Sequence, residues 1–220
     1  MKDAVLTHLE GGSQRSGGGP ADLAALVRVD PALIDRLADH LGGADPRVRG
    51  GAAGVLALVI GEFPDRMERV VPALVLALQN DDPPTRTGAY AALAAIAGAR
   101  PHLLEDDFDT IRLGLFEPLN PGVRREAVDA VARYGSGDAA RGRRAFPHVA
   151  EALRRFHDRA GAADLVRALR LIAETSAEPL LLDDVWRTLR RHLKHPDPAV
   201  RDDVGIVERL VRGSAAGDTR

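Results

Sequence analysis

With 220 residues and 45% hydrophobic content, the chain has material for an extended core, and its formal net charge of −2 at pH 7 argues against a surface built to grip polyanions throughout. There is no cysteine, which excludes disulfides, thiol catalysis and zinc–thiolate sites. Neither a secretory signal nor an apolar run of about 18 residues is present, so a cytoplasmic chain with no membrane partner is expected.

In chain order, Asp3 to Glu10 reads as a short helix tethered by the Gly- and Ser-rich stretch Gly11–Gly19. Residues 1–19 are therefore set apart from a repetitive body over 20–212 and a disordered tail over 213–220. The body repeats one local formula about every 38 residues, a period that marks stacked helical arrays. Its clearest copies are Asp45-Pro46-Arg47-Val48-Arg49, Asp82-Pro83-Pro84-Thr85-Arg86, Asn120-Pro121-Gly122-Val123-Arg124 and Asp197-Pro198-Ala199-Val200-Arg201.

Each anchor predicts a helix start. Asp or Asn can accept a hydrogen bond from an orphan N–H of the first turn, and the Pro that follows has no N–H to leave unpaired. Apolar residues then fall at constant offsets: Ala52, Leu56 and Val59; Ala89, Leu93 and Ile96; Ala127, Val131 and Tyr134. Placing a degenerate copy at Asp158 puts Leu165, Leu169 and Ile172 in the same slots, while the last copy carries Glu208 among them. Arg49, Arg86, Arg124 and Arg201 recur four residues after the anchors Asp45, Asp82, Asn120 and Asp197. They are expected to lie beside anchor carboxylates of their own and adjacent repeats as a ladder.

A second amphipathic segment precedes each anchor and supplies an outer helix. Its stripes are Leu33, Leu37 and Leu41; Val70, Leu74 and Leu78; Phe108, Ile111 and Leu115; Phe146, Val149 and Leu153; Val185, Leu189 and Leu193. No alternating run argues for strands.

The pattern D-P-x-V-R-x-x-A, read in Asp45 to Ala52 and with substitutions in Asn120 to Ala127 and Asp197 to Val204, resembles the HEAT-repeat superfamily, including its phycobilin-lyase-like branch. The resemblance spans roughly residues 30–212. It implies an all-α, right-handed α-solenoid of about five helix pairs whose inner helices line a concave surface. Most such proteins are adaptors, some of them in prokaryotic signalling and taxis pathways. A second class, resembling HEAT-like alkylpurine DNA glycosylases, binds nucleic acid with a strongly basic, aromatic-lined groove. Here Phe108 and Phe146 fall on core stripes, so a non-enzymatic protein-binding adaptor is the favoured reading and nucleic acid is disfavoured.

Two features point to where a partner docks. The stretches from Gly50 to Gly61 and from Thr87 to Ala99 contain no charge, although an inner helix should show one face to the groove. Gly51, Gly54, Ala57, Leu58, Gly88, Ala91 and Ala95 are thus candidate partner-binding residues. The cover could be a partner helix, a second copy of the chain as a homodimer, or residues 3–10; alternatively, Gly and Ala serve close packing between repeats. Independently, the second half of the chain is net basic. Arg141, Arg143 and Arg144, in a loop, and Arg187, Arg190 and Arg191, on an outer helix, are candidate contacts for an acidic partner, although solvated faces are the favoured explanation for them.

No catalytic residue, cofactor or metal is expected. The His-Glu dipeptides of iron-dependent hydroxylases built on this repeat are lacking. His192 and His195 have a spacing compatible with a metal, but the intervening Lys194 and a helix C-terminus favour cations near the negative end of a dipole. Glu105, Asp106, Asp107 and Asp109 precede an outer helix and read as capping and dipole compensation, and Trp186 as packing.

Overall fold

The computed structural model describes residues 9, 19–157, 161–176 and 178–217, with 215–217 described by backbone alone. The expectations for residues 1–8, 10–18 and 218–220, and for an anchor at Asp158, lie outside the described residues. Among the described residues there are eleven α-helices and no strand. They are α1 (Pro20–Val29), α2 (Leu33–His40), α3 (Pro46–Val59), α4 (Pro64–Ala77), α5 (Pro83–Ala99), α6 (Phe108–Ile111), α7 (Pro121–Gly135), α8 (Ala139–Phe156), α9 (Ala162–Thr175), α10 (Pro179–Leu189) and α11 (Pro198–Gly217). The last helix thus continues beyond residue 212.

The anchors act largely as the sequence predicts. Asp45 accepts from the Arg47 N–H at 2.8 Å, Asp82 from the Thr85 N–H at 3.1 Å and Asp197 from the Ala199 N–H at 2.9 Å. Asn120 departs from this. Its side chain makes no cap; instead the Glu117 carboxylate accepts from the N–H groups of Leu119 and Asn120, at 3.1 and 3.2 Å, and shapes the turn into α7. Asn120 contributes only its carbonyl, which receives the Arg124 N–H at 3.1 Å. The helix α9 begins at Ala162, with Gly161 at its N-cap in a left-handed conformation, φ 109°, that glycine adopts without penalty.

The chain forms two compact units, Met1–Ile111 and Arg112–Arg220. In the first, the inner helices α1, α3 and α5 pack side by side, with α3 touching both neighbours, and α2 and α4 form a second layer against them. In the second, α9 lies between α7 and α11, backed by α8 and α10. The inner stripes are buried: Ala52, Leu56 and Val59; Ala89, Leu93 and Ile96; Ala127, Val131 and Tyr134; Leu165, Leu169 and Ile172. Each fully buried Leu, Ile or Val contributes about 1.5–3 kcal/mol of transfer free energy. The helix α1, which starts on Gly19-Pro20 without an Asp anchor, buries Leu23, Ala24 and Val27 and completes the first pair.

Three outer stripes differ from expectation. Leu33 and Phe146 are only half-buried, and Leu193 is exposed. After Leu189 the backbone tightens into a 3-10 turn over Arg190–His192, and three residues per turn in place of 3.6 rotates the chain so that His192 faces inward instead. Burial lowers the His192 pKa below its ordinary value, and the positive charges of Arg191, His195 and His157 push it the same way. Its neutral ring accepts from Arg191 Nε at 3.3 Å.

Candidate docking face on the inner helices

Small residues on α3 and α5 have two different jobs, set by which side of the helix they occupy. A Cβ at Gly88 would lie 2.7 Å from the carbonyl carbon and Cβ of Ala53 and 2.9 Å from the Gly54 nitrogen. Gly88 is therefore buried in the seam where α3 and α5 meet, and the expectation that it lines an open face is corrected. Gly50 is part of the same close approach, 3.1 Å from Pro84 Cβ by the same measure. At the border of this seam, where the helix turns to solvent, a Cβ at Gly54 would meet nothing within 4 Å, and Leu58 is 52% exposed. Ala57, Ala91 and Ala95 are half-buried beside them.

The open side is accordingly uncharged from Gly50 onward in α3 and from Thr87 onward in α5. At its N-terminal end is a recess of about 370 Å³ lined by Pro46, Arg47, Gly50, Gly51, Asp82 and Pro84. Gly51 is occupied from outside: the Cδ2 of Leu9 lies 2.8 Å from where a Cβ of residue 51 would stand. A Cβ at residue 51 would force the Leu9 side chain to shift.

The second unit turns a different face to solvent. Between α7 and α9 a recess of about 220 Å³ is lined by Arg125, Glu126, Asp129, Asp164 and Arg167, with Ala132 among them. Arg133 pairs with Asp129 at 2.9 Å, and Arg170 with both Glu174 at 2.6 Å and Asp203 at 2.7 Å. Charges on this side largely satisfy one another.

The expected Arg ladder is realised in a modified form. Arg49 donates to Asp82 through Nε at 3.1 Å and also through Nη2, so it does reach the next anchor. Its other acceptors, at 2.8 and 3.0 Å, are the carbonyls of Gly43 and Ala44 in the turn before its own helix. Arg201 likewise donates to the carbonyls of His195 and Pro196, at 2.7 and 2.9 Å, and Arg124 to that of Glu117 at 2.7 Å. The recurring role is to fasten the turn between outer and inner helix, because carbonyls left at a helix end need donors. Arg86 is half-buried.

Asp82 joins the two devices. Burial pushes its pKa up, but bonds from Thr85 and Arg49 outweigh burial, and its carboxyl titrates below the ordinary carboxylate range. Asp82→Ala removes the cap and strands Arg49, and is expected to cost about 2 kcal/mol at pH 7. A carboxylate with a depressed folded-state pKa stabilises fully above its unfolded value and loses that contribution as pH falls through the folded one. Urea titrations of both proteins at pH 7 and below about pH 4 should show the gap between them narrowing in acid. An equal gap at both would refute the assignment.

The candidate acidic-partner residues are mostly engaged within the molecule. Arg141, Arg143 and Arg144 lie in the first turns of α8 and not in a loop, a correction that follows from Asp138 capping that helix through the Arg141 N–H at 2.9 Å. Arg141 also pairs with the Asp138 carboxylate, Arg143 with Glu178 at 2.6 Å, and Arg144 reaches the Tyr134 hydroxyl at 3.4 Å. Arg187 pairs with Asp183 and Asp184. Arg190 and Arg191 are exposed.

Among the described residues, no cluster of His, Asp and Glu is placed to hold a metal ion, and no helix is long and apolar enough to cross a membrane. Neither a protein-family model nor a curated protein matches the chain. Solved structures do. An engineered protein superposes with a TM-score of 0.72 at 20% identity, covering 96% of this chain and 99% of its own. A designed armadillo repeat protein in complex with the peptide (KR)4 superposes with a TM-score of 0.70 at 19% identity, covering 92% and 91%. Another, computationally designed for modular peptide recognition, gives 0.69 at 17% identity over 94% and 98%. The fold is a helical-repeat solenoid. At such identities the likeness concerns the fold alone.

Sequence reasoning counted residues 3–10 among the possible covers of this face without naming the Leu9–Gly51 contact, and it missed the carbonyl acceptors of the recurring Arg residues and the stacking of Arg124 on Phe156, 4.4 Å from the ring centroid. The recurrence of Arg at one offset signalled a structural role but not which acceptor it takes.

Proposed function

We propose that this chain is a non-enzymatic, HEAT-like adaptor that binds a polypeptide partner along the open side of α3 and α5. One observation carries the reading: beyond the recess at its N-terminal end that side is free of charge and lined by Gly54, Leu58, Ala91 and Ala95, whereas α7 and α9 present paired charges. Small residues let a partner's backbone approach closely, and apolar contact supplies the driving force. Two helices per repeat and the D-P-x-V-R anchors support the HEAT-like assignment, and with it a place in a prokaryotic signalling or taxis pathway. The peptide recognition named for two similar designed structures supports a polypeptide ligand. The ligand chemistry differs from (KR)4, because the only carboxylate at the recess, Asp82, is already held by Arg49.

Gly54→Arg tests this. With open space at the Cβ, the variant should keep its melting temperature, while a displayed peptide library panned on the wild type should enrich apolar sequences that the variant fails to retain. Equal retention by both proteins would sink the adaptor face.

A further inference from the structure

Leu9 on Gly51 shows that something already sits on the face. The side chain is half-buried, and its terminal methyl occupies space that a Cβ at residue 51 would contest. The contact lies beside the recess bounded by Pro46, Gly50 and Pro84. In sequence, Val5, Leu6 and Leu9 recur at helical spacing, with Lys2, Asp3, His8 and Glu10 among them. Between Leu9 and α1 lie Glu10 to Gly19, a Gly- and Ser-rich stretch whose composition gives a root-mean-square reach of about 18 Å. Since α1 packs directly on α3, that reach is sufficient.

We propose that residues 1–10 are a tethered ligand of the α3–α5 face, docked by Leu9 at Gly51, and that a partner gains access by displacing them with an apolar, leucine-bearing segment of its own. The proposal rests on the docking face argued above and adds its occupant. Occupancy at Gly51 covers the N-terminal end of the uncharged stretch, while Gly54 and Leu58 further along α3 stay open. A tether of this kind holds its ligand at an effective concentration on the order of 1 mM, so a free peptide that binds with a Kd on the order of 100 μM is weakened about tenfold by competition.

The experiment uses the full-length chain and a fluorescent peptide of residues 1–10 as probe, read by polarisation. Leu9→Asp in the protein should free the face and raise probe affinity about tenfold over wild type. Adding Gly51→Val to that variant, or placing Leu9→Asp in the probe, should abolish binding. The probe substitution leaves the protein untouched, so it decides the matter even if Gly51→Val compromises folding. Equal probe affinity for wild type and Leu9→Asp, or binding indifferent to Leu9 in the probe, overturns the tethered ligand. If library selection still depends on Gly54 in that case, the adaptor face survives; if Gly54→Arg changes nothing, it is the face that fails.

Discussion

Gly88→Val is expected to destabilise the protein by about 3 kcal/mol, at the upper end of overpacking costs. The atoms a side chain would meet, Ala53 C and Gly54 N, are backbone, so relief requires α3 and α5 to move apart. That separation would loosen Ala53, Ala92 and their neighbours, which are fully buried in the seam. Gly54→Ala is the matched control. The same kind of residue, one helix away and on the open side, meets nothing within 4 Å, and removing a helix-interior glycine should stabilise by up to about 1 kcal/mol. Urea unfolding of the two variants should move in opposite directions. A shift in the same direction would mean that seam and face have been interchanged.

Arg124→Ala should cost a comparable amount, about 3 kcal/mol, in the second unit. Arg124 is only 5% exposed and ties together three elements. It donates to the Glu117 carbonyl before α7, stacks on Phe156 at the end of α8, and lies against Gly161 at the start of α9, with Nε and Nη2 3.9 Å from where a Cβ would stand. Alanine leaves the carbonyl without this donor and the ring without its cation. Arg124→Lys keeps the charge but not the planar group that stacks and donates at once, so it should recover less than half of the loss. Thermal melts of both variants check the order; a lysine variant as stable as wild type would reduce Arg124 to a simple charge.

Together these variants separate residues that hold the repeats together from residues available to a partner. Helices with no charge all round are ordinarily buried on every side. In α3 and α5 one side is buried by the neighbouring repeat, and the other is the proposed binding side. The distinction explains why the same Gly-rich composition predicts a strongly destabilising substitution at Gly88 and one neutral or favourable to stability at Gly54.

The amino-acid sequence by itself determined the all-helical class, the period of the repeats and the residues of the inner stripes. These depend on interactions within one turn or one helix: Asp45, Asp82 and Asp197 cap their own first turns, Pro46, Pro83 and Pro198 start them, and apolar side chains at helical spacing share a face whatever they pack against. Tertiary structure decided what depends on how two helices cross or how one turn closes. Gly88 and Gly54 are indistinguishable in sequence until the approach of α5 to α3 assigns one to the seam. Asn120 has the composition of a cap, yet Glu117 takes over the turn. Leu193 continues an apolar stripe, yet a single 3-10 turn exchanges it for His192. The Leu9–Gly51 contact joins residues 42 positions apart, at a place where a Cβ would crowd the Leu9 side chain. No local periodicity encodes such a contact, because it exists only once the inner helices are already stacked.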